Sequence, residues 1–177
     1  MGRSLMLVGR PGIGKTTVIK QVAEHLGEQA GGFYTEEICG PGGRKGFRLV
    51  TLEGQTAVMA HVTLKGRGRP RVGRYGVDLA AIDQVGIVAL QTAMQAGRVV
   101  IVDEIGKMEL FSGRFKEVVL QAVSGPCTVV ATAMVKTNPW VDALKAMPNV
   151  SLREVTMSNR DRLAQAVVGW TQEPISR

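Results

Sequence analysis

Residues 9 to 16 read Gly9-Arg10-Pro11-Gly12-Ile13-Gly14-Lys15-Thr16, which fits G-x-x-x-x-G-K-[ST] at every fixed position, and Thr17 follows. Glycines at these places let the backbone turn so that successive N–H groups point inward at phosphate oxygens. A helix opening at Lys15 aims its unsatisfied N–H groups and the positive end of its dipole at the same point. The Lys15 ammonium adds a full charge for the β- and γ-phosphates, and the Thr16 hydroxyl is a hard oxygen ligand suited to Mg²⁺. The second chemical cluster is Val99-Val100-Ile101-Val102-Asp103-Glu104. Acids at the carboxyl end of a buried strand stand at the sheet edge where α/β proteins bind ligands. Asp103 is therefore expected to hold Mg²⁺ directly or through its waters. Glu104 is expected to orient and polarise a water for in-line attack on the γ-phosphate. Thr132 is the candidate for steadying charge on that phosphate from the neighbouring strand, with Lys107 and Lys136 as cationic candidates.

The elements that must position these residues alternate between strand and helix, the pattern of a mostly parallel sheet covered by helices. A strand over about 4–8 enters the glycine-rich turn, and a helix follows to about Leu26, closed by Gly27. Runs 33–39 and 47–52, separated by Gly40-Pro41-Gly42-Gly43, read as a hairpin, and 56–63 as a further strand. Together they form an antiparallel insertion at one edge. Lys65 to Gly76, rich in glycine and arginine, reads as a mobile loop, and Asp78 caps a helix carrying Ile82, Val85, Leu90 and Met94. Val99 to Val102 is continuously apolar, as a central strand covered on both faces requires. Helix 113–123, strand 128–132, helix 140–147 and strand 150–156 come next. Ser158 and Asp161 have the spacing of a capping box that opens a last helix.

At 177 residues the chain is the size of one domain, and we expect 1–177 to form a single one. No run approaches the roughly 18 apolar residues of a membrane helix, and the N-terminal apolar run stops at Gly9, so a soluble cytoplasmic protein is expected. Cys39 and Cys127 lack the spacing of a zinc site or a disulfide framework. The formal charge of +7 is concentrated: Arg44, Lys45, Arg48, Lys65, Arg67, Arg69, Arg71 and Arg74 are opposed between them only by Glu53. Such a stretch handles an anion, either a polyphosphate or a nucleic-acid backbone.

Several strings taken together resemble a nucleoside-triphosphatase family, the one that includes the cancer-related nucleoside-triphosphatase and its bacterial and archaeal relatives. They are Gly9 to Thr17, Gly32-Phe33-Tyr34-Thr35-Glu36-Glu37, Val72 to Asp78, Val102 to Ser112, Glu154 to Thr156, and Asn159-Arg160-Asp161. The most specific is Asp103-Glu104-Ile105-Gly106-Lys107-Met108-Glu109. The resemblance implies a three-layer P-loop NTPase fold with a further strand between the P-loop strand and the Asp103 strand. It also implies slow Mg²⁺-dependent hydrolysis of several nucleoside triphosphates (ATP, GTP, CTP, UTP) to diphosphate and phosphate. The chain reads Ala131-Thr132-Ala133-Met134 where relatives commonly read Gly-Thr-Ile-Pro.

Asn159 and Arg160, at the opening of a helix, are expected either to border the base or to form an ordinary cap. Phe33 and Tyr34 either pack in the core, the favoured reading, or stack on a base. Three other functions compete. A GTPase switch is disfavoured because no Asn-Lys-x-Asp sequence occurs. A nucleotide or small-molecule kinase is the more serious alternative, with the arginine-rich loop from Arg67 to Arg74 closing over phosphates as a lid that excludes water. A nucleic-acid-binding module is not favoured, because only Tyr75 adjoins the arginine run and stacking platforms are lacking.

Overall fold

The computed structural model describes residues 2–174. Among them the strands are β1 (Arg3–Val8), β2 (Ala30–Gly40), β3 (Gly43–Thr51), β4 (Thr56–His61), β5 (Arg71–Val72), β6 (Tyr75–Val77), β7 (Val99–Ile105), β8 (Thr128–Ala133) and β9 (Val150–Glu154). They form one sheet in the order β5-β6-β4-β3-β2-β7-β8-β1-β9. From β2 to β9 neighbouring strands run parallel, and from β2 to β5 they run antiparallel. As expected, β8 lies between β1, which feeds the glycine loop, and β7, which ends in the two acids.

The helices are α1 (Lys15–Leu26), α2 (Leu79–Ala81), α3 (Ile87–Gln95), α4 (Gly113–Ser124), α5 (Pro139–Lys145) and α6 (Arg160–Gln172). They divide between the two faces because the central strands alternate. On β1 and β7, Met6, Val100 and Val102 point to one face, where α3, α4 and α5 contribute Leu90, Phe115, Val119 and Val141. Leu5, Leu7 and Ile101 point to the other, against Ile19 and Val22 of α1 and Leu163 and Val167 of α6. Both faces are dry, so the strands read as unbroken apolar runs rather than as polar–apolar alternation. Asp78 caps α2 by accepting from the Ala80 N–H at 3.0 Å, and α2 continues into α3 through one π-helical stretch, Ile82–Gly86.

Two expectations are corrected. The 65–76 stretch is not loop throughout, because β5 and β6 pair within it and β6 joins β4. Tyr75 and Val77 are buried there, with Tyr75 edge-on to Phe47, so tertiary packing orders a segment whose local composition signals a turn. The proposed capping box at Ser158 and Asp161 does not form. Asn159 holds the N-cap position, and its side chain turns back to accept from the Thr156 N–H at 2.9 Å and donate to the Glu154 carbonyl at 2.8 Å. No described helix is long and apolar enough to cross a membrane.

Candidate active site

The glycine loop has the backbone its sequence requires. Gly12 and Gly14 take φ of 77° and 112°, a region that disfavours a side chain, and the Val18 N–H closes the first helical turn onto the Gly14 carbonyl. Lys15 lies along the loop, its Nζ donating to the Gly9 carbonyl at 2.9 Å. Arg160, from the start of α6, reaches over the same loop and donates to the Ile13 carbonyl at 3.2 Å. Of the two residues expected near a base, Arg160 therefore abuts the loop, while Asn159 is committed to its own turn.

Asp103 is where four elements meet. Thr16 Oγ1 donates to Oδ2 at 2.9 Å, and Thr132 Oγ1 donates to Oδ1 at 2.7 Å. The Thr35 N–H and hydroxyl both donate to Oδ2 at 3.2 Å. Asp103 is 1% exposed and Thr132 0%, so the Thr132 hydroxyl faces the carboxylate and not the cleft. Thr35 reaches Asp103 because β2 pairs in parallel with β7 up to Phe33 and Val102, and Gly32 takes a φ of 117° in that ladder. A Cβ on Gly32 would stand 2.1 Å from the Ile101 carbonyl oxygen, an approach that only glycine permits.

Around this centre opens a cleft of about 670 Å³ lined by Lys15, Thr16, Lys20, Thr35, Glu36, Arg44, Phe47, Asp103 and Glu104. The glycine loop and the acidic pair thus share one cleft. Thr35 falls in one of the strings that carry the resemblance, which implies no role for it, and Lys20 and Arg44 belong to no such string; their places along β2, α1 and β3 bring them here. Glu36 bonds Lys20 at 2.6 Å and Arg48 at 2.7 Å, and these two donors hold its carboxyl below the ordinary value. Arg44 lies over the Phe47 ring and donates to Glu37 at 2.7 Å and to the Tyr75 hydroxyl at 3.1 Å. Much of the basic segment is therefore held against its own sheet edge.

Glu104 is half-buried at the cleft floor. Burial pushes its carboxyl above the ordinary value, the Lys15 cation draws it back down, and the Asp103 charge adds to the rise. Behind it the chain turns through Gly106 and carries Glu109 underneath. A Cβ on Gly106 would meet Glu109 Oε2 at 3.2 Å and Glu104 Oε2 at 3.3 Å, so the two carboxyls face the same small space. Burial pushes the Glu109 carboxyl from 4.5 up to about 8, with backbone donors opposing the rise and the charges of Glu104 and Asp103 adding to it.

A group with its folded pKa raised contributes stability that is full below the unfolded value and lost as pH climbs through the folded one. Unfolding measured with a chelator present should therefore show stability falling as pH rises from 4.5 towards 8. The steepest contribution of this one group is about 1.4 kcal/mol per pH unit. Glu109→Gln is expected to flatten that slope, and an unchanged slope would mean that Glu109 is ionised in the fold.

A glycine loop at the head of α1, an acidic strand end one strand removed, and a parallel central sheet with helices on both faces define a P-loop NTPase fold. Solved structures agree. The crystal structure of THEP1 from Aquifex aeolicus superposes with a TM-score of 0.87 at 34% identity, covering 96% of this chain and 99% of that one. The solution structure of a human cancer-related nucleoside triphosphatase gives 0.83 at 37% identity, over 99% and 100%. The family model described as NTPase matches residues 4–168, and the chain belongs to this nucleoside-triphosphatase family. Nucleoside-triphosphatase THEP1 of Thermotoga petrophila is 40% identical over 93% of this chain and 90% of its own length. The human cancer-related nucleoside-triphosphatase is 38% identical over 97% and 98%.

Proposed function

We propose that the protein hydrolyses nucleoside 5′-triphosphates to the diphosphate and phosphate in a Mg²⁺-dependent reaction with little base selectivity. The observation that carries this reading is the convergence of Lys15, Thr16, Asp103 and Glu104 on one cleft. The glycine-loop N–H groups and Lys15 would grip the β- and γ-phosphates, fixing the terminal phosphorus for in-line attack. Glu104, half-buried beside them, orients a water and accepts its proton.

The donor set fits Mg²⁺. Thr16 Oγ1 and the Asp103 carboxylate lie 2.9 Å apart and supply hard oxygens. Among the described residues no cluster of three or more His, Cys, Asp or Glu forms an all-protein cage. Mg²⁺ in nucleotide sites takes one or two protein oxygens and completes its shell with phosphate and water. Thr16 and Asp103 would hold the ion, which would supply positive charge against that of the phosphates. Thr132 and Thr35 serve as positioning residues that fix the Asp103 carboxylate.

Loose base selectivity is supported by the outer end of the loop. The Asn159 amide is turned towards Thr156 and Glu154, which leaves Arg160, whose planar guanidinium packs on any ring face without reading its edge. Sites without edge-reading hydrogen bonds discriminate weakly, so rates with ATP, GTP, CTP and UTP should fall within about tenfold of one another.

The test is phosphate release from each triphosphate with Mg²⁺ and with a chelator. Lys15→Ala is expected to lower kcat/KM by about 10²-fold or more, because the charge it removes meets the phosphates in both ground and transition states. Release that is indifferent to chelation, or unchanged in Lys15→Ala, would defeat the reading.

A further inference from the structure

Beside the phosphate cleft lies a second cavity, of about 430 Å³, that shares Pro11, Lys15, Thr35, Phe47 and Glu104 with it. Its walls are of another kind. Beyond the shared Phe47, Met59, Val72, Met108, Met134 and Val135 line it, and Lys107 and Lys136 stand exposed at its rim. The Glu109 carboxyl, buried, also borders it. Water attacking a phosphate needs none of this, because a hydrolytic water is held by one carboxylate and gains nothing from three methionines. A cavity of this size, mostly apolar with a few convergent polar groups, is the form of a small-molecule site. Methionine walls adapt to an irregular apolar body.

We propose that this cavity binds a small organic alcohol with an apolar body and an anionic substituent, and that the protein transfers the terminal phosphoryl group to its hydroxyl. The inference rests on the triphosphate reading of the adjoining cleft. The apolar body lies among Met59, Met108 and Met134, the anion meets Lys107 and Lys136, and the hydroxyl points at Glu104, the wall common to both cavities. In the reaction the alcohol oxygen forms a bond to the γ-phosphorus as the bond from that phosphorus to the β-phosphate bridging oxygen breaks. The hydroxyl proton passes to Glu104 and then to solvent, and the products are a phosphomonoester and the nucleoside diphosphate. Water in place of the alcohol gives phosphate, so hydrolysis and transfer share Lys15, Thr16, Asp103 and Glu104, and transfer alone uses the methionine wall and the two rim lysines.

The test supplies ATP and Mg²⁺ with para-(hydroxymethyl)benzoate, benzyl alcohol or glycerol, and reads phosphomonoester against orthophosphate by phosphorus NMR. With para-(hydroxymethyl)benzoate, the ratio of monoester to orthophosphate is expected to exceed the alcohol-to-water ratio by about 100-fold or more, as positioning of the acceptor demands. Benzyl alcohol should give less, and glycerol no enrichment. Met134→Trp, which fills the cavity, should abolish the monoester and leave orthophosphate release within about twofold. Val135→Trp, at a residue 59% exposed, makes the same comparison where folding is not at stake. Orthophosphate alone with every alcohol, equal enrichment with glycerol, or monoester undiminished in both tryptophan variants would overturn the proposal while leaving the hydrolase reading intact. Absence of both products would overturn the two together.

Discussion

Replacing Glu104 by glutamine is expected to lower triphosphate hydrolysis by about 10³-fold, within the range that a positioned general base contributes. The substitution keeps the shape and one carbonyl oxygen but removes the proton acceptor. Nucleotide affinity should stay within about threefold of the parent protein's, because Glu104 stands beside the phosphate grip and is not part of it. The same carboxylate is expected to set the acid limb of activity. Burial, opposed by Lys15 and aided by Asp103, raises its pKa above the ordinary carboxylate value. Hydrolysis should therefore be lost on acidification at a pH above that ordinary value, and the acid limb should vanish from the residual rate of Glu104→Gln. Equilibrium binding of a non-hydrolysable triphosphate, paired with phosphate release across pH, separates the two effects. Undiminished turnover in Glu104→Gln would remove Glu104 from the role of base and turn attention to Glu109, whose carboxyl faces the same space beside Gly106.

The parts of this site that are legible in the sequence are those whose geometry is local. The loop from Gly9 to Thr16 announces itself because three glycines, a lysine and a threonine have a joint meaning only when a strand precedes and a helix follows. The run from Val99 to Glu104 is equally plain, since four apolar residues ending in two acids describe a covered strand emerging at a sheet edge. Thr35 is different. Its two hydrogen bonds to Asp103 depend on the parallel pairing of β2 with β7, between segments far apart in the chain. No spacing pattern within 32–37 encodes it. Lys20 and Arg44 reach the cleft for similar reasons, one from the second turn of α1 and one from the start of β3.

The edge of the sheet teaches the same lesson in reverse. Composition from Lys65 to Gly76 argues for a loop, and most of it is turn, yet Tyr75 and Val77 are buried and draw three residues into β6. The concentrated positive charge of this region reads as an anion site. In the structure Arg44 and Arg48 bond Glu37 and Glu36, Arg69 donates to the Val77 carbonyl, and Arg71 to that of Arg74. Charge counted along the chain overstates what is free to meet a ligand, because guanidinium groups also satisfy backbone carbonyls at an irregular edge. At the other end of the chain, Ser158 and Asp161 have the spacing of a capping box, but Asn159 lies between them and its amide forms the tighter local turn.

Asp103→Asn is expected to be the most damaging single-atom change in the chain, and the damage should be to function before stability. The carboxylate accepts from Thr16, Thr132 and both donors of Thr35, and it is 1% exposed. An asparagine can turn its carbonyl to the Thr35 N–H, which cannot reverse its polarity, and offer its amide to the Thr132 hydroxyl, which can accept as well as donate. The network is rewired, so the loss of stability should stay near 1–2 kcal/mol, the scale of one weakened buried hydrogen bond. The negative charge has no substitute. Without it the hard-oxygen pair becomes two neutral donors, and hydrolysis should fall by about 10³-fold or more at modest Mg²⁺, with part of the loss recovered as Mg²⁺ is raised. Thr132→Val makes the informative contrast. It keeps the charge, removes one positioning bond, and should cost about 10-fold, the usual effect of a residue that only orients a ligand. Chemical denaturation and phosphate release over a Mg²⁺ series would measure both variants. Equal losses in the two would mean that Asp103 works through the threonine network alone. A larger, Mg²⁺-dependent loss in Asp103→Asn would assign the charge to the metal.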